Sequence, residues 1–330
     1  MNRRIWLTIA LILAATAVTA GVLHIRAARL ACVDAKRLVV QALLRESDSN
    51  YIAHVTTVTG YNGKAAETAA TILHQGNVEK IEYGHGAWSM TRDGKSYTYL
   101  PKGNRLLITE MSRLLSDKDR TALLLANFRV RCVGMDSIAG RAAYVVEIAP
   151  RNTDRPSKKL WIDRGNSTIL RTDDYSASGD KRGSTEMDKV TFGAKISPKT
   201  FDLPSSKRVE YVMLCKSGES ADLFKDVGFP VAMPAYVPKG YKLEGYHLLY
   251  STCSCGHRSA QLTYTDGLNV ISVFQTPVMT SCCKTMGGGK CDDQNCGIAT
   301  QGQVTRGDRT IVVVGDLLPK DVRKIAESVR

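Results

Sequence analysis

From residue 51 to residue 192 the chain is punctuated by a turn signal roughly every ten residues, a spacing that no helical bundle tolerates. Short runs rich in β-branched and aromatic residues occupy 51–59, 66–73, 78–83, 88–91, 96–100, 129–133, 141–148, 159–163, 168–174 and 186–192. Gly, Asn and Asp separate several of them. Asp93-Gly94, between two such runs, predicts a two-residue hairpin, because both central positions of that turn need residues that accept positive φ. One helix interrupts the series. Ser116 with Asp119 three residues later resembles a capping box, and Leu123, Leu124 and Phe128 follow as its apolar face. The pattern predicts an α+β fold that is mostly antiparallel β, a large sheet or partly closed barrel.

The chain ahead of this series has two parts. Met1-Asn2-Arg3-Arg4 is basic, and residues 5–25 then carry no acid, Lys or Arg. A cleaved secretory signal would use 5–15 as its apolar core, ending at Ala15-Thr16-Ala17 or Val18-Thr19-Ala20. An uncleaved anchor would use the whole stretch, which just reaches the ~20 residues that span a bilayer. Either reading places residues 30–330 outside the cytoplasm. Cys32 does not sit where a lipid-attachment cysteine would, since Arg26 to Ala31 separate it from the apolar run. Residues 28–45 predict an amphipathic helix, with Val33, Val39, Val40, Leu43 and Leu44 at helical spacing.

Organisation beyond residue 192 is sparser. Residues 206–225, with Lys207-Arg208 and Lys216-Ser217-Gly218, read as a linker. A smaller unit follows over 226–330, with strands expected at 248–252, 261–265, 269–275 and 310–314. Asp266-Gly267 is expected as another tight turn. Pro319 opens a last helix that lines up Val322, Ile325, Ala326 and Val329. The division is therefore 1–27 as signal or anchor, 28–205 as a β domain, 206–225 as linker and 226–330 as a second domain.

Nine cysteines are present. Cys32, Cys132 and Cys215 are scattered, whereas Cys253, Cys255, Cys282, Cys283, Cys291 and Cys296 crowd a Gly- and Asn-bearing stretch. In an oxidising compartment these predict disulfides, whose pairing the spacing leaves open; one arrangement joins Cys132 to Cys215 and closes the cluster on itself. The alternative is a soft-metal site of thiolates with His257. No paired C-x2-C pattern supports zinc, and no cofactor is expected.

The formal charge is +13, with 45 Lys and Arg against 32 Asp and Glu. Aromatic residues make up only 7% and do not interleave with the basic groups, so nucleic acid is a poor partner. An anionic envelope surface suits such a field better. No H-E-x-x-H, G-x-S-x-G or phosphate loop occurs, and the six histidines are dispersed, so no enzyme is expected.

A family likeness rests on ordered motifs. Gly86-Ala87-Trp88-Ser89-Met90-Thr91-Arg92-Asp93-Gly94 resembles a strand pair of the RseB/MucB N-terminal domain. Gly140-Arg141 with Tyr144, then Leu160-Trp161-Ile162-Asp163-Arg164, then Ile169-Leu170-Arg171, follow that family's course. Val237-Pro238-Lys239-Gly240-Tyr241 and Tyr264-Thr265-Asp266-Gly267-Leu268 resemble its C-terminal domain. The resemblance implies an unclosed β-barrel with helices over its concave face, like the lipoprotein carrier LolA, plus a smaller α+β domain. It implies a periplasmic regulator that binds the extracytoplasmic domain of an anti-sigma factor and senses envelope stress or a lipid-like ligand; residues 5–25, if uncleaved, would tether it to the inner membrane. A LolA-type lipid or lipoprotein carrier is the alternative, and a metal- or redox-handling envelope protein the second. The Cys-rich stretch departs from the family.

A half-open barrel leaves an apolar concavity where such a ligand sits. Candidate lining residues are Trp88, Met90, Tyr97, Tyr99 and Trp161. Period-2 alternation puts Trp88 and Met90 on one face and Tyr97 and Tyr99 on another. Ordinary core packing is the competing role for each.

Overall fold

A computed structural model describes residues 34–44, 49–61, 64–110, 113–152, 155–206, 208–215, 227–250, 257–278 and 300–330. Residues 5–25, Cys32 and the cluster from Cys253 to Cys296 lie outside the described residues. Among those described, no helix is long and apolar enough to cross a membrane.

The first helix, α1 (Ala35–Leu44), precedes β1 (Tyr51–Tyr61), β2 (Lys64–Gln75), β3 (Val78–Glu82), β4 (Trp88–Arg92), β5 (Lys95–Leu100) and β6 (Arg105–Glu110). Helix α2 (Asp117–Asn127) follows, then β7 (Phe128–Ile138), β8 (Arg141–Pro150), β9 (Ser157–Asp163), β10 (Ile169–Tyr175) and β11 (Lys181–Phe192). These strands form one antiparallel sheet in the order β7-β8-β9-β10-β11-β1-β2-β3-β4-β5-β6. The sheet stays open and does not close into a barrel. Register shifts in the β1–β11, β7–β8, β9–β10 and β10–β11 pairings bend and twist it, as extra unpaired residues do.

Local chemistry explains the elements. Asp93 and Gly94 have φ of 50° and 71°, the positive values that a primed two-residue turn demands, and β4 pairs with β5 across them. The α2 capping box is formed: Ser116 Oγ accepts from the Asp119 amide at 3.2 Å, and Asp119 Oδ2 accepts from the Ser116 amide. Helices α1 and α2 lie on one face of the sheet, where Val39, Leu124 and Phe128 pack with Val146, Ile148, Leu160 and Ile162. The opposite face is strapped by residues 194–203. There Ile196 and Phe201 pack on Leu73 and Met90, while Lys80 and Arg92 donate to the carbonyls of Thr200 and Phe201.

The stretch read as a linker contains a strand, β12 (Arg208–Cys215), which lies parallel to β6. Its partner is about a hundred residues upstream, so no local pattern announced the pairing. Arg105 grips Glu210 with two hydrogen bonds across it. Strand β12 continues into a second, smaller sheet of β13 (Lys242–Tyr250), β14 (Arg258–Thr265), β15 (Val270–Pro277), β17 (Arg309–Gly315) and β16 (Thr300–Arg306). Helix α3 (Pro319–Ser328) buries Val322, Ile325 and Ala326 against Leu262, Ile271, Val273, Ile311 and Val313. The turn at Asp266-Gly267 is not a two-residue hairpin. Thr265 pairs with Val270, leaving four residues in the loop. Asp266 Oδ1 accepts from the amides of Leu268 and Asn269, which stabilises this longer Asx turn.

The two sheets meet at α2. Arg120, Leu124 and Asn127 form a stripe at helical spacing. Asn127 donates to the carbonyls of Gly240 and Asp266, Arg120 faces Glu244 at 3.2 Å, and Leu268 joins the cluster around Leu124. Arg155 completes the joint, lying 3.5 Å from Asp266 and over the Tyr241 ring.

Candidate ligand cavity

Between the helices and the sheet lies a cavity of about 1180 Å³. Gln41 and Ala42 of α1 and Asp117 of α2 form one wall, and strands β1, β2, β3, β4, β10 and β11 form the other. Register explains which residues reach it. Tyr51, His74, Glu79 and Thr91 stand opposite one another across β1, β2, β3 and β4, and all four line the cavity. Val55, Ile72, Leu170 and Met187 supply an apolar floor beside this polar row.

The polar row is internally tied. The Tyr51 ring stacks on His74 at 4.9 Å, with the planes 6° apart. Its hydroxyl donates to Glu79 Oε2 at 3.5 Å. Burial first, and then the Glu79 carboxylate, raise the Tyr51 phenol above its ordinary value, so it stays neutral. His74 Nδ1 donates to the Ser49 carbonyl at 3.3 Å, since a carbonyl oxygen can only accept. Further along the sheet wall Arg171 is bound by Asp173 and Glu186 and lies 4.4 Å from the Trp161 ring centre. The site is thus amphipathic, with an apolar floor and a hydrogen-bonded polar edge.

The five aromatic and Met candidates do not line this cavity. Trp88 pairs with Tyr99, and Met90 pairs with Tyr97, so all four share one face rather than two. The row through Met90 is Ile52, Leu73, Lys80, Met90, Tyr97 and Ile108, one register step from the cavity row. A one-residue step reverses every side chain, so these residues meet the 194–203 strap instead. Trp88 stacks on Tyr99 at 5.7 Å. Trp161 is a core residue whose Nε1 donates to Asp136 Oδ2 at 2.8 Å. The residues that do line the cavity come from separate strands and have no shared local signature; only the apolar alternation of Tyr51, Ala53 and Val55 hinted at them.

The remaining candidates divide by position. Cys132, in β7, is disulfide-bonded. The Cys215 side chain and the six clustered cysteines lie outside the described residues, so the pairings expected of them do too. His257 is described and half-buried. Among the described residues no group of three or more His, Cys, Asp or Glu could hold a metal.

The motif residues have structural roles. Arg141 Nη2 donates to Asp163 Oδ1 and its Nε to Oδ2, while the amides of Gly165 and Asn166 also reach Oδ1. Burial works to raise the Asp163 carboxyl, but Arg141 and these amides outweigh it and hold the group below its ordinary value. The two ordered motifs at 140–144 and 160–164 are thereby one interaction, joining the β8 and β9 ends.

No curated protein sequence matches the chain. Among solved structures, MucB in complex with MucA(peri) is 18% identical and covers 90% of this chain and 98% of its own, with a TM-score of 0.62. The Pseudomonas aeruginosa MucA/MucB complex is 17% identical, covering 90% and 99%, with the same TM-score of 0.62. A LolA superfamily protein from Nitrosomonas europaea is 13% identical over 52% of this chain and 98% of its own, with a TM-score of 0.27. The MucB/RseB N-terminal domain model matches residues 41–203, which hold α1 from Gln41 onward, the whole curled sheet and the cavity. Residues 41–203 are thus a domain of the MucB/RseB family.

Proposed function

We propose that this protein is an extracytoplasmic regulator that works by binding, holding the extracytoplasmic segment of an anti-sigma factor and responding to an amphiphile in the cavity. The observation that carries the reading is the MucB/RseB domain over residues 41–203, set in a fold shared with MucB, which has been seen in complex with MucA(peri). The cavity supports the second half. An apolar floor beside Tyr51, His74 and Glu79 suits a ligand with an apolar tail and a polar head. Its polar groups are tied to one another and present no nucleophile activated by a base, which favours binding over chemistry. We further propose a division into a cavity-bearing unit over 28–205 and a smaller unit over 226–330, exported by residues 5–25.

The test is capture of the extracytoplasmic segments of the source organism's anti-sigma factors by the immobilised full chain. Retention of one segment, and its loss on adding a lipid-like amphiphile, is the expected result. Failure to retain any segment across pH and salt overturns the reading. A carrier of the LolA type is the second reading, favoured by the cavity alone. It requires a freely diffusing mature protein, so an N-terminal sequence that retains residues 5–25 removes it.

A further inference from the structure

We infer that α2 is a coupling element that transmits the state of the cavity to the joint between the two sheets. Its first residue, Asp117, lines the cavity. Its stripe of Arg120, Leu124 and Asn127 faces the second sheet's loops, and the preceding Leu114 amide donates to the Glu244 carbonyl at 2.7 Å. Helix α1 adds a parallel route. Gln41 and Ala42 line the cavity, and Val39 packs in the same cluster as Leu124, which also takes in Leu268 from the Asx turn. The packing between cavity and joint is thus continuous, which gives a displacement at the cavity a path to the joint.

The joint is also built to release. Of the buried side-chain polar atoms without a well-aligned hydrogen bond among the described residues, Arg120 Nε, Arg155 Nη1, Tyr241 Oη and Glu244 Oε1 all lie there, and only Ser206 Oγ lies elsewhere. The Arg120–Glu244 and Arg155–Asp266 ion pairs approach at 3.2 and 3.5 Å without the alignment of hydrogen bonds. Buried charges matched this loosely recover little of their desolvation cost, so opening the joint to water costs little. A well-packed apolar seam would be harder to move. Closure rests instead on three directional bonds, the two donated by Asn127 at the far end of the helix and the one from the Leu114 amide to the Glu244 carbonyl ahead of it.

Coupling through α2 can be measured without a ligand or a partner. In the full chain, Thr185→Trp and, separately, Thr172→Trp place an indole in the cavity from its sheet wall. Hydrogen exchange is then read at the amides of 240–246 and 266–269. The expected result is at least threefold faster exchange there in both variants, with β15 and β17 unchanged. The same substitutions are repeated over Arg120→Met with Glu244→Leu, which replaces one loose ion pair by apolar contact. The acceleration should then shrink by half or more. Unchanged exchange at the joint in both folded Trp variants overturns the inference. So does an acceleration that the apolar pair leaves intact, or one spread uniformly over β15 and β17, which would report general destabilisation. If one Trp variant fails to fold, the other carries the measurement.

Discussion

Arg155 and Asp266 face each other across the joint at 3.5 Å, with 6% and 0% of their side chains exposed. The two residues come from loops of opposite sheets, and each has a second task. Arg155 lies over the Tyr241 ring at 5.2 Å, and Asp266 caps its own turn through Leu268 and Asn269. Arg155→Leu would leave the Asp266 carboxylate buried beside those amides without a counter-charge. Removing one member of a buried pair costs about 3 kcal/mol. Urea unfolding should show that loss, and a loss below about 1 kcal/mol would mean water already reaches the pair.

Gly267 and Gly228 separate conformational strain from steric contact. Both have positive φ, of 96° and 83°. A Cβ on Gly267 would sit 2.3 Å from the Leu124 amide nitrogen, whereas one on Gly228 meets nothing within 4 Å. Gly228→Ala is expected to cost about 1 kcal/mol from backbone conformation alone. Gly267→Ala should cost about 3 kcal/mol or more, because rigid helix backbone must shift. Thermal unfolding of the two variants side by side checks the difference, and equal losses would contradict the close approach of turn and helix.

Asp163 is held ionised by Arg141 and the amides of Gly165 and Asn166, against the opposing effect of burial. A depressed carboxyl contributes stability above its unfolded value, and that contribution disappears as pH falls through the folded value. Asp163→Asn keeps the shape and removes the charge, at a cost of about 2 kcal/mol at neutral pH. The gap between wild type and variant should narrow below about pH 4, the ordinary carboxylate range. Urea unfolding at pH 7 and pH 3 measures it.

Asp316 follows the opposite sign. Burial pushes it up to about 6, and Asp174 adds to that, while Arg182 and Lys158 oppose it. The folded state therefore holds this proton more tightly than the unfolded chain does. Its contribution is fully present below the ordinary carboxylate range and is lost as pH rises through about 6. Asp316→Asn should remove that slope, so the variant gains on wild type between pH 4 and pH 7. A constant difference across that range would show that Asp316 titrates normally.

Much of the fold was readable residue by residue. The Asp93-Gly94 hairpin, the Ser116 cap and the apolar stripe of α3 each arise from neighbours within a few positions, and each is present. Strand β12 was read as linker because its pairing partner, β6, is remote. Which residues reach the cavity was hidden for a related reason. Met90 and Thr91 are adjacent, yet one faces the 194–203 strap and the other the cavity, and only the register between β3 and β4 decides which.

The sequence by itself determined the turn chemistry, the helix ends, the mostly antiparallel class and the order of motifs that marks the family. Those follow from backbone preferences and side-chain periods, which are local. Tertiary structure decided what stands beside what: Tyr51 on His74, Arg141 on Asp163, Asn127 on Gly240 and Asp266. The first of these pairings depends on register between strands, the others on packing across loops and sheets. Neither is written in any short stretch of chain, because a shift of one residue changes every partner while leaving the local pattern intact.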